Sequence, residues 1–383
     1  MHPRIVLSVG NFFGAAHFFL VLYVAATYLA GFMSDAQVGL VIAAAAMLSL
    51  AAFPFMPSLT RRLGARRALV MFAVTQAVIA TVLTLPVSAP FAALGIILLV
   101  GLSPLAAFLL DLLLEAATPN EAESGMVRTA FLTAGSIALV TTPLLIGFLL
   151  SPVEAYERVF LAAAIALTPL IALLSVERLP EKKPPALGNL MATLACCFRN
   201  SDLRATTLAF LLLQIFYTLA PLYIPLYLHE VLGIPWTELG WIFAVMLLPF
   251  VFVEFPAGYV ADRWLGDKEL LLGGFVILGT SFALVSLIST ETPLLLVALL
   301  LFLTRVGAAL VEAMTDGHFF RRVSALDTET ITLFRMMRPL GTLIAPLIGG
   351  VLLVSGYPAL FVVSGALIVA VGIIVTLPLV DVR

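Results

Sequence analysis

Charged side chains are scarce in this sequence: Asp, Glu, Lys and Arg make up 11% of 383 residues. Where they fall inside long apolar runs, their type and spacing carry chemical meaning, because a charge at the centre of a bilayer is costly and so faces a partner or a wet cavity. Arg305, Glu312 and Asp316 lie in one run and, with Ala309, share one helical stripe. Asp111 and Glu115, one turn apart, occupy another, with Arg128 near the start of the next. Arg335 and Arg338 stand in the same relation to Glu312 and Asp316. Two chemistries fit these sets: ion pairs that hold one face shut and can break, or direct binding of a polar solute or ion. The first suits Asp111, Glu115, Arg128, Asp316, Arg335 and Arg338 better. Arg305 lies about twelve residues into its run, where snorkelling to either surface is hardest, and suits binding better than purely structural pairing. Glu312 is the nearest acid on its own stripe, and Glu254 is the alternative from a neighbouring helix. A carboxylate at membrane depth can exchange protons, so Glu254, Glu312 and Asp111 are candidates for proton coupling. Asn11 and His17 in the first run, and Gln214 and Tyr217 in the seventh, are further candidates that packing explains equally well.

The elements that must position these groups are membrane helices. The chain is 62% hydrophobic, against about 45–50% for a soluble domain. A net charge of −2 gives no reason to expect a nucleic-acid partner. Apolar runs long enough to cross a hydrocarbon core of about 30 Å recur from end to end. They lack the alternation of a barrel strand, so the fold class is all-α integral membrane. Twelve spans are predicted, near 5–30, 36–58, 68–87, 91–114, 124–150, 157–176, 204–230, 236–260, 270–288, 293–316, 329–355 and 357–378. The first is read as a span rather than a cleaved signal. Cys196 and Cys197 are neighbours and too few for a structural metal site, so no metal and no cofactor is expected.

Residues 181–203 interrupt the pattern with prolines and charge, dividing a six-span bundle at 1–180 from another at 204–383. The halves repeat. Pro54, Arg61, Leu63 and Gly64 recur as Pro256, Arg263, Leu265 and Gly266 at an offset of 202. Asp111 and Glu115 recur as Glu312 and Asp316 at 201, and Pro143 and Gly147 as Pro346 and Gly350 at 203. An even number of spans per repeat makes the two bundles parallel. Arg61, Arg62, Arg66, Arg67, Lys182, Lys183, Arg263, Lys268, Arg321 and Arg322 fall on one side of the membrane and Arg158 on the other, which puts both termini in the cytoplasm.

Two charged stretches sit between the second and third span of each half. The later one holds Gly258, Asp262, Arg263, Gly266 and Lys268; the earlier one keeps Arg61, Gly64, Arg66 and Arg67 but has Met56 and Thr60 where Gly and Asp are expected. This resembles the Gly-x-x-x-Asp-Arg-x-Gly-Arg-Arg signature of the major facilitator superfamily. The resemblance covers essentially the whole chain. It implies two six-helix bundles rocking about a central cavity lined chiefly by spans one, four, seven and ten. The charged turns would then act as a cytoplasmic latch rather than only as topology anchors. Glu254, Gly258 and Asp262 share one helix face there, the glycine admitting a close neighbour. Residues 341–350, "GTLIAPLIGG", resemble the Gly-x-x-x-Gly-Pro-x-x-Gly-Gly signature of drug/proton antiporters, with Ala345 in place of a Gly and in the eleventh span instead of the fifth.

The expectation is a multi-pass transporter of a small-molecule substrate, working by alternating access as a monomer in a bacterial-type inner or plasma membrane. Protons are the candidate coupling ion, with a preference for efflux. No Gly-x-x-x-x-Gly-Lys-Ser/Thr loop points to ATP. The competing readings are a receptor or scaffold on a transporter fold and an intramembrane enzyme. The second would need a His-Glu-x-x-His or a Ser/His pair, and the four histidines (His2, His17, His229 and His318) are scattered.

Overall fold

The computed structural model describes residues 3–117, 121–177, 179–181, 190–263, 265–323 and 328–379. Among them every regular element is helical. Eleven helices are long and apolar enough to cross a membrane. The remaining span, the eighth, differs from the continuous run read in the sequence. It is broken into Trp236–Leu247, Pro249–Phe252 and Glu254–Arg263. Pro249 has no N–H to donate back along the helix, and the chain tightens there, Leu248 N bonding Val245 O at 3.2 Å. The second span is broken too: Asp35–Ala52, a 3-10 turn at Phe53–Phe55 containing Pro54, then Met56–Leu63. Pro256, the repeat partner of Pro54, lies in the first turn of Glu254–Arg263, so the two interruptions fall at different places in the repeat.

The other spans are Pro3–Ala30, Ala65–Val82, Ala89–Ala117, Glu121–Leu149 and Tyr156–Val176 in the first half. In the second they are Ser201–Pro225, Asp267–Leu284, Leu294–Arg322, Thr328–Leu353 and Tyr357–Thr376. A short helix, Leu190–Arg199, precedes the seventh span. Asn200 starts that span, its side chain accepting from Asp202 N and Leu203 N.

The chain forms two compact units, Met1–Ala186 with Ile234–Trp241, and Leu187–Gly233 with Ile242–Arg383. In the first unit, the first span packs on the fourth, fifth and sixth, the second on the fourth, and the third on the fourth and sixth. In the second unit, the seventh packs on the tenth, eleventh and twelfth, the eighth on the tenth, and the ninth on the tenth and twelfth. The two sets are the same set shifted by six spans, which shows the duplication in three dimensions.

Glycine sets the tightest approaches. A Cβ on Gly307 would overlap Leu278 N and lie 2.7 Å from Gly274 O, so the ninth and tenth spans meet backbone to backbone. Gly64 and Gly266, at φ 83° and 133°, turn the chain into the third and ninth spans with a backbone that L side chains rarely adopt.

Candidate functional site

The seventh and tenth spans bring the second unit's polar candidates together. Gln214, Tyr217 and Thr218 are three and four residues apart and so share a face. The Tyr217 hydroxyl donates to Glu312 Oε2 at 2.5 Å, the length of a charge-assisted O–H···O⁻ bond. From the eleventh span Arg338 approaches Glu312 Oε1 at 3.9 Å with its own side chain 60% exposed. Thr218 donates to Thr342 Oγ1 at 3.2 Å. One residue earlier, Gly341 allows the eleventh span to press on the backbone of Gln214 and Ile215. The Gln214 amide is buried, yet its Nε2 has no hydrogen-bond partner. An unsatisfied buried donor costs about 1–3 kcal/mol, so a ligand acceptor there has a physical reason to bind.

Arg305 is 3% exposed and lays its guanidinium on Phe216, 4.8 Å from the ring centroid. Arg335 and Asp316 are half-buried on their helices.

In the first unit the polar candidates on the first span are held by backbone. Asn11 Nδ2 donates to Phe131 O at 2.8 Å, on the fifth span. His17 Nδ1 bonds Ala163 O at 2.9 Å, on the sixth, which makes Nδ1 the protonated nitrogen. Its Nε2 is then an acceptor, buried and without a partner. The first-span amide of Asn11 is thus satisfied and the seventh-span amide of Gln214 is not. Asp111 is half-buried and Glu115 exposed. The side chains of Arg128, Glu254, Gly258 and Asp262 lie outside the described residues.

The charged turns do more than carry sign. Arg66 donates to Leu174 O at 2.7 Å, and its repeat partner Lys268 to Leu377 O at 2.6 Å. Each cation, in the first turn of its half's third span, caps the C-terminal end of that half's last span. Glu181 Oε2 accepts from Ala65 N at 2.8 Å, placing a carboxylate on the exposed N–H groups that open the third span. Arg61 and Arg67 are exposed, as is Arg263.

Sequence reasoning missed three features: the Thr218–Thr342 bond, the Phe216 platform under Arg305, and a buried cluster of Asp202, Asp267 and His318. The last had a signal. Two acids in the first turns of two spans, and a His with two Arg at the end of a third, can meet where those spans pack together on one face of the membrane.

The family model described as Major Facilitator Superfamily matches residues 7–316 and 206–382. Among the solved structures that share the fold are two of the nucleoside transporter NupG. One, a single-residue variant, has TM-score 0.80 at 14% identity, covering 97% of this chain and 98% of its own. The other has TM-score 0.76 at 14% identity, covering 98% of each. No curated protein matches.

Proposed function

The chain belongs to the major facilitator superfamily and is a multi-pass secondary transporter, and we propose that Gln214, Tyr217 and Glu312 bind its small polar solute. The observation that carries this reading is the pairing, on one face of the seventh span, of an unsatisfied buried amide donor with a carboxylate oriented by Tyr217. A solute offering both a hydrogen-bond acceptor and a donor answers both groups. Arg305 sets the positive field beside them; Asn11 and His17 are candidates within the first unit. Nucleosides join sugars, organic acids, amino acids and cationic drugs as classes to test, since two of the structures sharing the fold carry a nucleoside transporter's name while their 14% identity supports fold alone.

In the same proposal Glu312, Glu254 and Asp111 are the coupling carboxylates for protons, and the 341–350 resemblance favours efflux. The Asp262 turn is a latch, both termini are cytoplasmic, and the protein works as a monomer. A thermal-shift screen of the purified protein over those solute classes tests the site, because a ligand of the folded state raises apparent stability. A hit whose shift disappears in Gln214→Leu is the expected result. A hit that survives both Gln214→Leu and Glu312→Gln would place the solute elsewhere. Single cysteines at 59–67 should resist impermeant thiol reagents in intact cells, and labelling from outside would reverse the orientation.

A further inference from the structure

At one end of the second unit, three spans converge on a histidine. His318, one turn before the end of the tenth span at Arg322, is 3% exposed. Its Nδ1 lies 2.9 Å from Asp267 Oδ2, in the first turn of the ninth span. Its Nε2 lies 3.1 Å from Asp202 Oδ2, in the first turn of the seventh. Both acids are 6% exposed. Arg321 pairs with Asp267, and Arg322 Nε contacts both Asp202 Oδ2 and, at 3.0 Å, His318 Nε2. The eighth span, also packed on the tenth, ends in Arg263, which is exposed; its acids Glu254 and Asp262 are those outside the described side chains.

The polarity suits the helix ends, acids at two N-termini and cations at a C-terminus. That alone would make the cluster a staple, but the ring is surplus to a staple. Each carboxylate already has an arginine partner without it, Asp267 in Arg321 and Asp202 in Arg322. The first unit also packs the same spans together with Ala65 and Ala117 at the positions matching Asp267 and His318.

We propose that Asp202, His318 and Asp267 form a proton-binding site at the shared end of the seventh, ninth and tenth spans, distinct from the Tyr217–Glu312 site. His318 is six residues beyond Glu312, about 9 Å along the axis at about 1.5 Å per residue. Two bond sets satisfy the geometry. With the proton on, Nδ1–H donates to Asp267, Nε2–H donates to Asp202, and Arg322 Nε–H also serves Asp202. With it off, the Asp267 bond remains, Nε2 accepts from Arg322 Nε–H, and Asp202 Oδ2 faces a lone pair. The bond made and broken is Nε2–H, and Arg322 turns between two acceptors as the proton leaves to water. Proton binding therefore decides how firmly the start of the seventh span is held to the end of the tenth.

The test needs no substrate and does not rest on the proposed solute site. Full-length protein labelled with 15N-histidine, in lipid nanodiscs, is followed by NMR between about pH 8 and about pH 5, the interval in which imidazoles titrate. His318→Asn identifies the ring among the four histidines. The expected result is a proton arriving on Nε2 within that interval. In hydrogen-exchange mass spectrometry of the same protein, amide protection in the first two turns of the seventh span, taken relative to the intrinsic exchange rate at each pH, should then rise at least about tenfold at the acid end. A ring that keeps one protonation state throughout would overturn the proposal, as would a proton that arrives with no change in protection relative to the intrinsic rate. Should His318→Asn fail to fold, Asp202→Asn, which removes one of the two facing charges, should weaken proton binding by about tenfold; unchanged binding there would count equally against it.

Discussion

Tyr217→Phe separates a binding site from a packing contact at Glu312. The substitution deletes one oxygen and leaves the ring's edge contacts with Phe250 available. What it removes is a 2.5 Å donor to a carboxylate, and hydrogen bonds to charged groups contribute about 1.5–3 kcal/mol. Arg338, at 3.9 Å and 60% exposed, contributes about 0–1 kcal/mol to the same carboxylate. Because a factor of ten corresponds to about 1.4 kcal/mol, Tyr217→Phe should weaken solute affinity by about tenfold to about a hundredfold. Arg338→Gln should cost less than about fivefold. Glu312 is 23% exposed, so water can replace the lost donor in the resting protein and melting should change little. The assay is the solute-concentration dependence of flux in proteoliposomes, with thermal melting of the same preparations. The reasoning is refuted if Arg338→Gln costs as much as Tyr217→Phe, or if Tyr217→Phe lowers melting while flux is untouched.

Other perturbations probe the frame around the site. Gly307→Leu should force the ninth and tenth spans apart, destabilising the second unit by at least about 1–3 kcal/mol, read as lower melting and folded yield; wild-type melting would mean the close approach is not as described. Lys268→Gln removes the cap on Leu377 O and should cost about 0.3–1 kcal/mol, with Lys268→Arg restoring most of it in the same melting assay. Asp262→Asn, which keeps size and removes charge, should reduce flux with little loss of folded protein; wild-type flux and unaltered crosslinking across the cytoplasmic face would reduce the turn to a topology anchor.

The span pattern was legible because a bilayer demands about twenty apolar residues per helix, and duplication left its offsets in prolines, glycines and charges. The shared packing scheme of the two units follows from the same repeat. The interruption of the eighth span was written in Pro249, but the run was apolar on both sides and read as continuous. Side-chain partners were harder. Asn11 and His17 are held by the carbonyls of Phe131 and Ala163, and a carbonyl carries no residue identity that a sequence could reveal. Arg66 and Lys268 have carbonyl partners too, so their capping role was hidden behind their charge. Glu312 was singled out by depth, yet its partner Tyr217 depends on which faces of the seventh and tenth spans meet, and that is set by packing.

The most direct test of the account is flux itself. Purified protein in liposomes is loaded on one side with the solute that stabilises it most, and exchange of labelled solute is measured against protein-free liposomes. The account predicts saturable exchange that is lost in Glu312→Gln and kept in Glu157→Gln, whose carboxylate is exposed in the first turn of the sixth span. Binding of the solute with no flux above protein-free liposomes would contradict it, and would make the chain a receptor built on a transporter fold.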